Sequence, residues 1–268
     1  MVCFMETLIA LESAAILVST FFFGVGSISD LKKREVDDKV WIFYGLLGGS
    51  LTVARLILDS STLLIVLGSI GLAVILAFAL FYFGMFGGAD AKAMMCLGLT
   101  LPLNPQVPTP LLGYFHPFFP VNVVLLGFVF SASAAIWYGI ANMFSYRTEG
   151  ESMFVGLQDQ SRWKKVMLML TGFRTTLEKL RSTFYLYPLE EIVSSDVGTR
   201  RSVKLFFDAE ADRDQLVSNF TESFQKAGYS GKVWVTPGLP MLVFVLAGLL
   251  VALVVGDPVF SLVFLARR

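Results

Sequence analysis

The chain has 268 residues, 21 basic and 21 acidic side chains, and a formal net charge of zero. Apolar residues make up 55%, charged residues only 16%, and the mean hydropathy is +0.70. This balance excludes an ordinary soluble domain, and the absence of net positive charge points away from nucleic acid as a partner. Two cysteines, Cys3 and Cys96, and one histidine, His116, leave no material for a cysteine-rich metal site or a histidine-based triad.

Taken in chain order, the dominant features are long uncharged apolar runs, of which about 20 residues span a bilayer core. Helix one is expected over 8–28. The N-terminus has no basic region before this run, Glu12 interrupts it, and no small-residue cleavage site follows, so it reads as a retained helix. A charged loop follows, Asp30-Leu31-Lys32-Lys33-Arg34-Glu35-Val36-Asp37-Asp38-Lys39. Helix two is expected over 40–58, with Asp59-Ser60-Ser61 as a turn, and helix three over 63–86, ending in Gly87-Gly88-Ala89-Asp90. A shorter apolar stretch, 91–101, is a candidate fourth helix. Residues 102–120 hold six prolines and no Lys or Arg, and read as an irregular loop. Helix five is expected over 121–144, and helix six over 240–255, closed by Gly256-Asp257-Pro258.

Residues 145–236 carry more than half of the chain's charges and read as a small soluble insert of mixed α and β structure. Ser161 is placed to cap an amphipathic helix running to Arg181, and Val203–Phe207 reads as a strand. Asp208 is placed to cap a second helix with Leu216, Phe220 and Phe224 on its apolar face and Gly228 after its end. Lys232–Val235 reads as another strand. The expected architecture is thus an all-α polytopic membrane protein of about six spans, divided into 1–144, an insert over 145–236, and 237–268. The basic residues Lys32, Lys33, Arg34 and Lys39 and the basic-rich insert fall on one side of such a bundle, which the positive-inside rule makes cytoplasmic. Arg267 and Arg268 at the far end oppose this weakly.

In this topology two acids meet on the cytoplasmic side: Asp30 at the end of helix one, and Asp90 after the glycines. Two carboxylates brought close cannot both ionise and share a proton. One then serves as base toward a water while the other polarises a carbonyl, the chemistry of an aspartyl protease. Ordinary roles also fit: Asp30 as an interfacial residue of a charged loop, Asp90 as a cap for helix-start amides. Asp37 and Asp38 lie further into the loop. Lys92, beside Asp90, is placed either to tune its charge or to snorkel to the interface. Gly45-x-x-x-Gly49 and Gly84-x-x-x-Gly88 fit close helix packing. The sequon at Asn219 falls in the cytoplasmic insert and is read as a chance match. Glu12 and Arg55 lie inside helices one and two at similar depth, so pairing between them, or a shared outer pocket, is expected.

The run Asp30–Val36 at the end of a first helix resembles the first aspartate motif of archaeal preflagellin peptidases and type IV prepilin peptidases. Gly87-Gly88-Ala89-Asp90 resembles their Gly-x-Gly-Asp motif, with Ala89 in place of the second glycine. The resemblance covers roughly 8–101 and the last helix. It implies that Asp30 and Asp90 are a catalytic pair, supported by Gly87, Gly88 and Ala89. It also implies that the substrate is a membrane-anchored precursor whose short basic leader is cut at the cytoplasmic membrane face. Pro237-Gly238-Leu239-Pro240 before the last helix is similar in placement to the proline motif of presenilin-type relatives, which makes Pro240 a candidate substrate contact or tuning residue; a simple helix start fits it equally. The cytoplasmic four-cysteine motif of bacterial prepilin peptidases is absent and no cofactor-binding motif is visible, so the peptidase-only archaeal branch is expected, without metal or cofactor. The competing readings are a presenilin-like intramembrane protease and a membrane transporter or scaffold.

Overall fold

The computed structural model describes residues 2–195, 198–205 and 212–265. The chain divides into two compact units, one of residues 1–131 with 240–268, the other of residues 132–239.

The first unit is built mainly of helices. Helix α1 spans Val2–Lys33, α2 Asp38–Leu58, α3 Leu63–Tyr82 and α4 Gly88–Thr100. Helix α5, Phe119–Glu149, begins in this unit and continues into the other. Among the described residues, four segments are long and apolar enough to cross a membrane: Cys3–Lys33, Asp38–Leu58, Ser60–Tyr82 and Phe119–Phe154. In total, α1 packs on α2 and on the later α9 (Met241–Val255), and α4 packs against α2 and α3. The core between them is built from Phe22, Phe23, Trp41, Tyr44, Leu97, Phe119, Val123, Leu242, Val245 and Leu249. Small residues set how closely these helices approach. A Cβ on Gly98 would lie 2.4 Å from the Cβ of Ala73, and one on Gly248 would lie 2.5 Å from the carbonyl oxygen of Val123.

The helix ends differ from the sequence expectation in ways that matter for the site. Helix α1 continues past Asp30 through Leu31, Lys32 and Lys33, all good helix formers. It stops where Arg34 takes a left-handed φ of 59° and donates its N–H to the carbonyl of Asp30 (3.1 Å). Helix α4 starts at Gly88, so Asp90 stands in its first turn. With 13 residues α4 reaches only ~20 Å, and the 15 of α9 reach ~22 Å, each short of a ~30 Å core. A further short helix, α10 (Pro258–Leu265), follows α9 beyond Gly256 at φ 92° and was not apparent in the sequence.

The proline-rich loop is pinned at several points. Leu103 and Phe118 form a β-bridge, Leu111 and Leu112 donate their N–H groups to Val254 and Val255 carbonyls, and Asp257 donates its own to Gly113. His116 Nδ1 accepts the Phe118 N–H at 3.2 Å, and its Nε2 lies 3.5 Å from the buried carboxylate of Asp257. Glu12 belongs to the same arrangement. Its carboxylate accepts the backbone N–H groups of Gln106 (2.5 Å) and Val107 (2.9 Å). The expected Glu12–Arg55 pairing is therefore incorrect. A prolyl loop has backbone donors without strand partners, and a buried carboxylate satisfies two of them at once. Gly84 is also not a helix-packing residue: it lies beyond α3 at φ 68°, and neither it nor Gly88 has a neighbour within 4 Å of a built Cβ. On α2 the tight position is Gly48, whose Cβ would collide with Thr100, whereas Gly45 and Gly49 make ordinary or slightly tight contacts with α4.

The second unit is α+β. Strands β1 (Phe173–Thr175), β2 (Leu186–Pro188) and β5 (Val233–Pro237) form an antiparallel sheet in the order β1-β5-β2, and β3 (Glu190–Ser195) pairs with β4 (Gly198–Val203). Helix α6 (Arg162–Thr171), capped by Ser161, is separate from α7 (Leu177–Ser182), so the single helix expected to reach Arg181 is a correction. Gly172 breaks the run, and the next three residues are held as an edge strand by β5. The strand expected over 203–207 ends at Val203, with Phe206 and Phe207 outside the described residues. The cap expected at Asp208 also lies outside them; α8 (Arg213–Lys226) is capped by Asp212. Its buried face is Val217, Phe220, Thr221 and Phe224, which packs with Leu180, Leu186, Val233 and Val235.

Candidate functional site

Asp30 and Asp90 come together in the first unit, near enough for the charge of Asp30 to act on Asp90. Asp30 stands one turn before the end of α1, and Arg34 Nη1 lies 3.8 Å from its Oδ1. The spacing is i,i+4, and the left-handed turn at Arg34 folds its side chain back over the helix end. The Asp30 carboxylate also meets the backbone N–H of Leu242, in the first turn of α9. Pro240 is the residue before that helix, so the proline run acts by starting α9 where it presents N–H groups to Asp30.

Asp90 is at the third position of α4, and its Oδ2 accepts the Gly87 N–H at 3.0 Å. A Cβ on Gly87 would lie 3.4 Å from that same oxygen, close to ordinary contact, so the position has room for a small side chain. Both carboxylates thus sit at helix N-termini, one on its own helix and one across from another, where unpaired N–H groups and the macrodipole favour an oxyanion. The Arg34 guanidinium acts on both.

The other sequence candidates divide. Ala89 is helical, and the only non-glycine residue at positive φ among the described residues is Arg34. The alanine is therefore unstrained, and it packs against the helical core. Ala89→Gly should leave turnover within about twofold, because no left-handed geometry is released and the change only weakens a helix start by a few tenths of a kcal/mol. Ala89→Leu should lower turnover by about tenfold or more, since overpacking costs ~1–3 kcal/mol or displaces the α4 start. Cleavage assays on purified variants at matched expression decide it. Lys92 does not reach Asp90: its ammonium is 2.6 Å from Asp38 Oδ1, so it bridges α4 to α2. Asp37 caps α2 through the Lys39 N–H. Both loop acids therefore have structural partners of their own. Cys96 Sγ approaches the Trp41 carbonyl at 3.4 Å, and Cys3 is exposed. Sequence reasoning missed two participants, Arg34 and the Leu242 N–H. The signal for Arg34 was its i+4 spacing from Asp30; for the N–H, it was the proline run one turn ahead.

Residues 17–140 match the type IV leader peptidase family, and residues 164–258 match the archaeal peptidase A24 C-terminus type II. A preflagellin peptidase of Methanocaldococcus jannaschii is 27% identical over 248 residues, covering 89% of this chain and 92% of that protein. Preflagellin peptidases of Methanococcus maripaludis and Methanococcus voltae are 25% and 23% identical, over 88% and 89% of this chain and 93% and 94% of theirs. No solved structure matches. The two family matches follow one another along one chain, the first containing both aspartate motifs and the second most of the insert and α9, so the chain is similar along most of its length to the type IV leader peptidases and their archaeal C-terminal region.

Proposed function

We propose that this chain is an aspartyl endopeptidase that removes the short basic leader from preflagellin- or prepilin-like precursors at the cytoplasmic face of the membrane, with Asp30 and Asp90 as its catalytic pair. The observation that carries the reading is the meeting of these two carboxylates at adjoining helix ends, in a chain similar to the type IV leader peptidases. The names of the relatives supply the substrate class. The basic cluster Lys32, Lys33, Arg34 and Lys39 beside the pair supports a cytoplasmic location for that end of the bundle.

The mechanism needs one proton shared by two acids. The ionised carboxylate takes a proton from water as the oxygen attacks the scissile carbonyl, while the protonated partner donates a hydrogen bond to the carbonyl oxygen. The tetrahedral oxyanion, held by that hydrogen bond, then collapses. The amine leaves with a proton from the carboxyl that received it, and the dyad returns to one shared proton. The Gly87 N–H holds the Asp90 carboxylate at 3.0 Å, and the Leu242 N–H faces that of Asp30. Arg34 keeps the excess negative charge of the pair tolerable at a half-buried site. Arg34→Gln should therefore slow turnover about tenfold, ~1.4 kcal/mol in the barrier, and Arg34→Lys should recover part of it. Equal rates for all three proteins would remove Arg34 from the account.

A transporter would hold its acids near the midplane between repeats; here both lie within one turn of a helix end. The test is incubation of membranes containing the protein with a full-length precursor, followed by N-terminal sequencing of the product. A shortened product starting at the apolar helix is expected; an intact precursor under all conditions overturns the reading. Register gives a further expectation. Basic residues before the cut remain in the headgroup layer and are worth about 1 kcal/mol each near an anionic surface. Reversing two of them to Glu should slow cleavage at least about tenfold. An unchanged rate would show that the leader's charge takes no part in recognition.

A further inference from the structure

The second unit presents an aromatic turn that the catalytic reading does not use. It lies between α7 and β2, where Phe184 is 48% and Tyr185 38% exposed. Their rings meet edge to face at 5.3 Å. The turn is held firmly from behind. The Arg213 guanidinium, itself shielded, donates to the carbonyls of Leu180 (2.5 Å), Thr183 (2.8 Å) and Leu186 (3.3 Å). One cation thus ties down three backbone acceptors around two outward-facing rings. A mobile surface loop gains nothing from such a clamp, whereas a rigid contact element does.

The neighbours of the turn show what it contacts. The Tyr185 carbonyl accepts the N–H of Gly238 at 2.9 Å. Gly238 is three residues before the apolar helix α9, and Leu239 between them is 43% exposed. On its other side Tyr185 is in electrostatic reach of Tyr138 on α5, beside Trp137, which is 69% exposed. The patch of Trp137, Tyr138, Phe184, Tyr185 and Leu239 therefore borders α5, which is long and apolar enough to cross a membrane, and the start of the shorter apolar helix α9. Exposed Lys179 and Arg181 precede it, with Glu178 as the one acid of α7. Amphipathic aromatic rings at the ends of spanning helices occupy the headgroup boundary, and flanking Lys and Arg reach lipid phosphates.

We propose that the Phe184–Tyr185 turn is a membrane anchor of the second unit, inserting its rings at the headgroup boundary of the bilayer that α5 crosses. The role is independent of catalysis. It ties the unit to the bilayer surface through a clamp made by Arg213, and the occupant of the patch is lipid.

The test is spin-label depth measurement on the full chain in mixed phosphatidylcholine–phosphatidylglycerol vesicles. Cys3→Ser and Cys96→Ala remove the native thiols, and a nitroxide is placed at Phe184→Cys or Tyr185→Cys, with Glu222→Cys on α8 as the water-facing reference. The ratio of relaxation by oxygen to relaxation by a water-soluble nickel chelate is expected to be several-fold higher at 184 and 185 than at 222. Arg213→Gln should lower that ratio at 184 while leaving the reference unchanged. Free access of the nickel chelate at 184 and 185 overturns the proposal, because the turn is then in water. Protection from both reagents also overturns it, because the patch is then covered by protein. Ratios that fail at 184 but hold at 185 are read from the second ring, which keeps the result decisive if one label disturbs the turn.

Discussion

Asp30→Asn and Asp90→Asn are each expected to lower cleavage by at least about a thousandfold while leaving insertion and thermal stability nearly unchanged. Asparagine keeps the size and most hydrogen bonds of the carboxylate. At position 90 its carbonyl oxygen still accepts the Gly87 N–H, and at position 30 it still faces the Leu242 N–H. What it cannot do is exchange a proton. General acid–base participation contributes typically 10²–10⁴-fold. Because the two acids work as a unit, the double variant should be hardly slower than either single one. Asp37→Asn and Asp38→Asn are the matched controls. Asp37 loses a helix cap, and Asp38 loses half of its pair with Lys92. Those are exposed interactions worth well under about 1 kcal/mol in the pair and about 1 in the cap, so turnover should stay within a few-fold. Normal cleavage by Asp30→Asn, or additive losses in the double variant, would remove the shared-proton mechanism.

The second large effect is expected in the other unit, on stability. Glu190 and Arg201 form a bidentate pair across β3 and β4, with Nε to Oε2 at 2.7 Å and Nη2 to Oε1 at 2.8 Å, and both side chains are nearly fully buried. Arg201 also donates to the Val155 and Lys232 carbonyls and lies over the Phe224 ring. The Glu190 carboxylate accepts the Trp234 N–H at the centre of the sheet. Arg201→Met removes the cation and leaves a buried carboxylate without its counter-charge, which costs ~3–5 kcal/mol. Limited proteolysis should then cut the 132–239 unit at much lower temperature than in the parent. Adding Glu190→Gln should recover part of the loss. The amide still accepts from Trp234 and carries no charge, so the double variant should be more stable than Arg201→Met alone. A double variant that is less stable than the single would show that desolvated charge is not the main cost.

The residues show where sequence reasoning reached its limit. Spans α1, α2, α3 and α5 were legible because ~20 apolar residues in a row have few alternatives in water or lipid. Helix ends were not. Asp30 reads as the end of a run because the charges begin there, yet Leu31, Lys32 and Lys33 still extend the helix, and the stop comes at Arg34. That single turn decides that the Arg34 side chain reaches back to Asp30. In the second unit, α6 and α7 carry one helical pattern, and only the pairing of Phe173–Thr175 with β5 divides them. Long-range pairing overrides local propensity there, and no window of sequence contains both strands.

Composition and apolar run length were enough to determine by themselves a polytopic helical protein, and two short aspartate motifs carried its resemblance to leader peptidases. They act locally: each depends on neighbours in the chain or on the solvent around it. The tertiary structure alone decided the partners of the charges. Glu12 meets the Gln106 and Val107 amides instead of Arg55, Lys92 meets Asp38 instead of Asp90, and Asp30 meets an N–H more than 200 residues away at Leu242. A buried charge takes whatever donor or counter-charge the packed helices bring within reach, because leaving it unpaired is the most expensive outcome. Which group arrives is set by helix length, crossing and the small residues at the contacts, and those are properties of the assembled bundle.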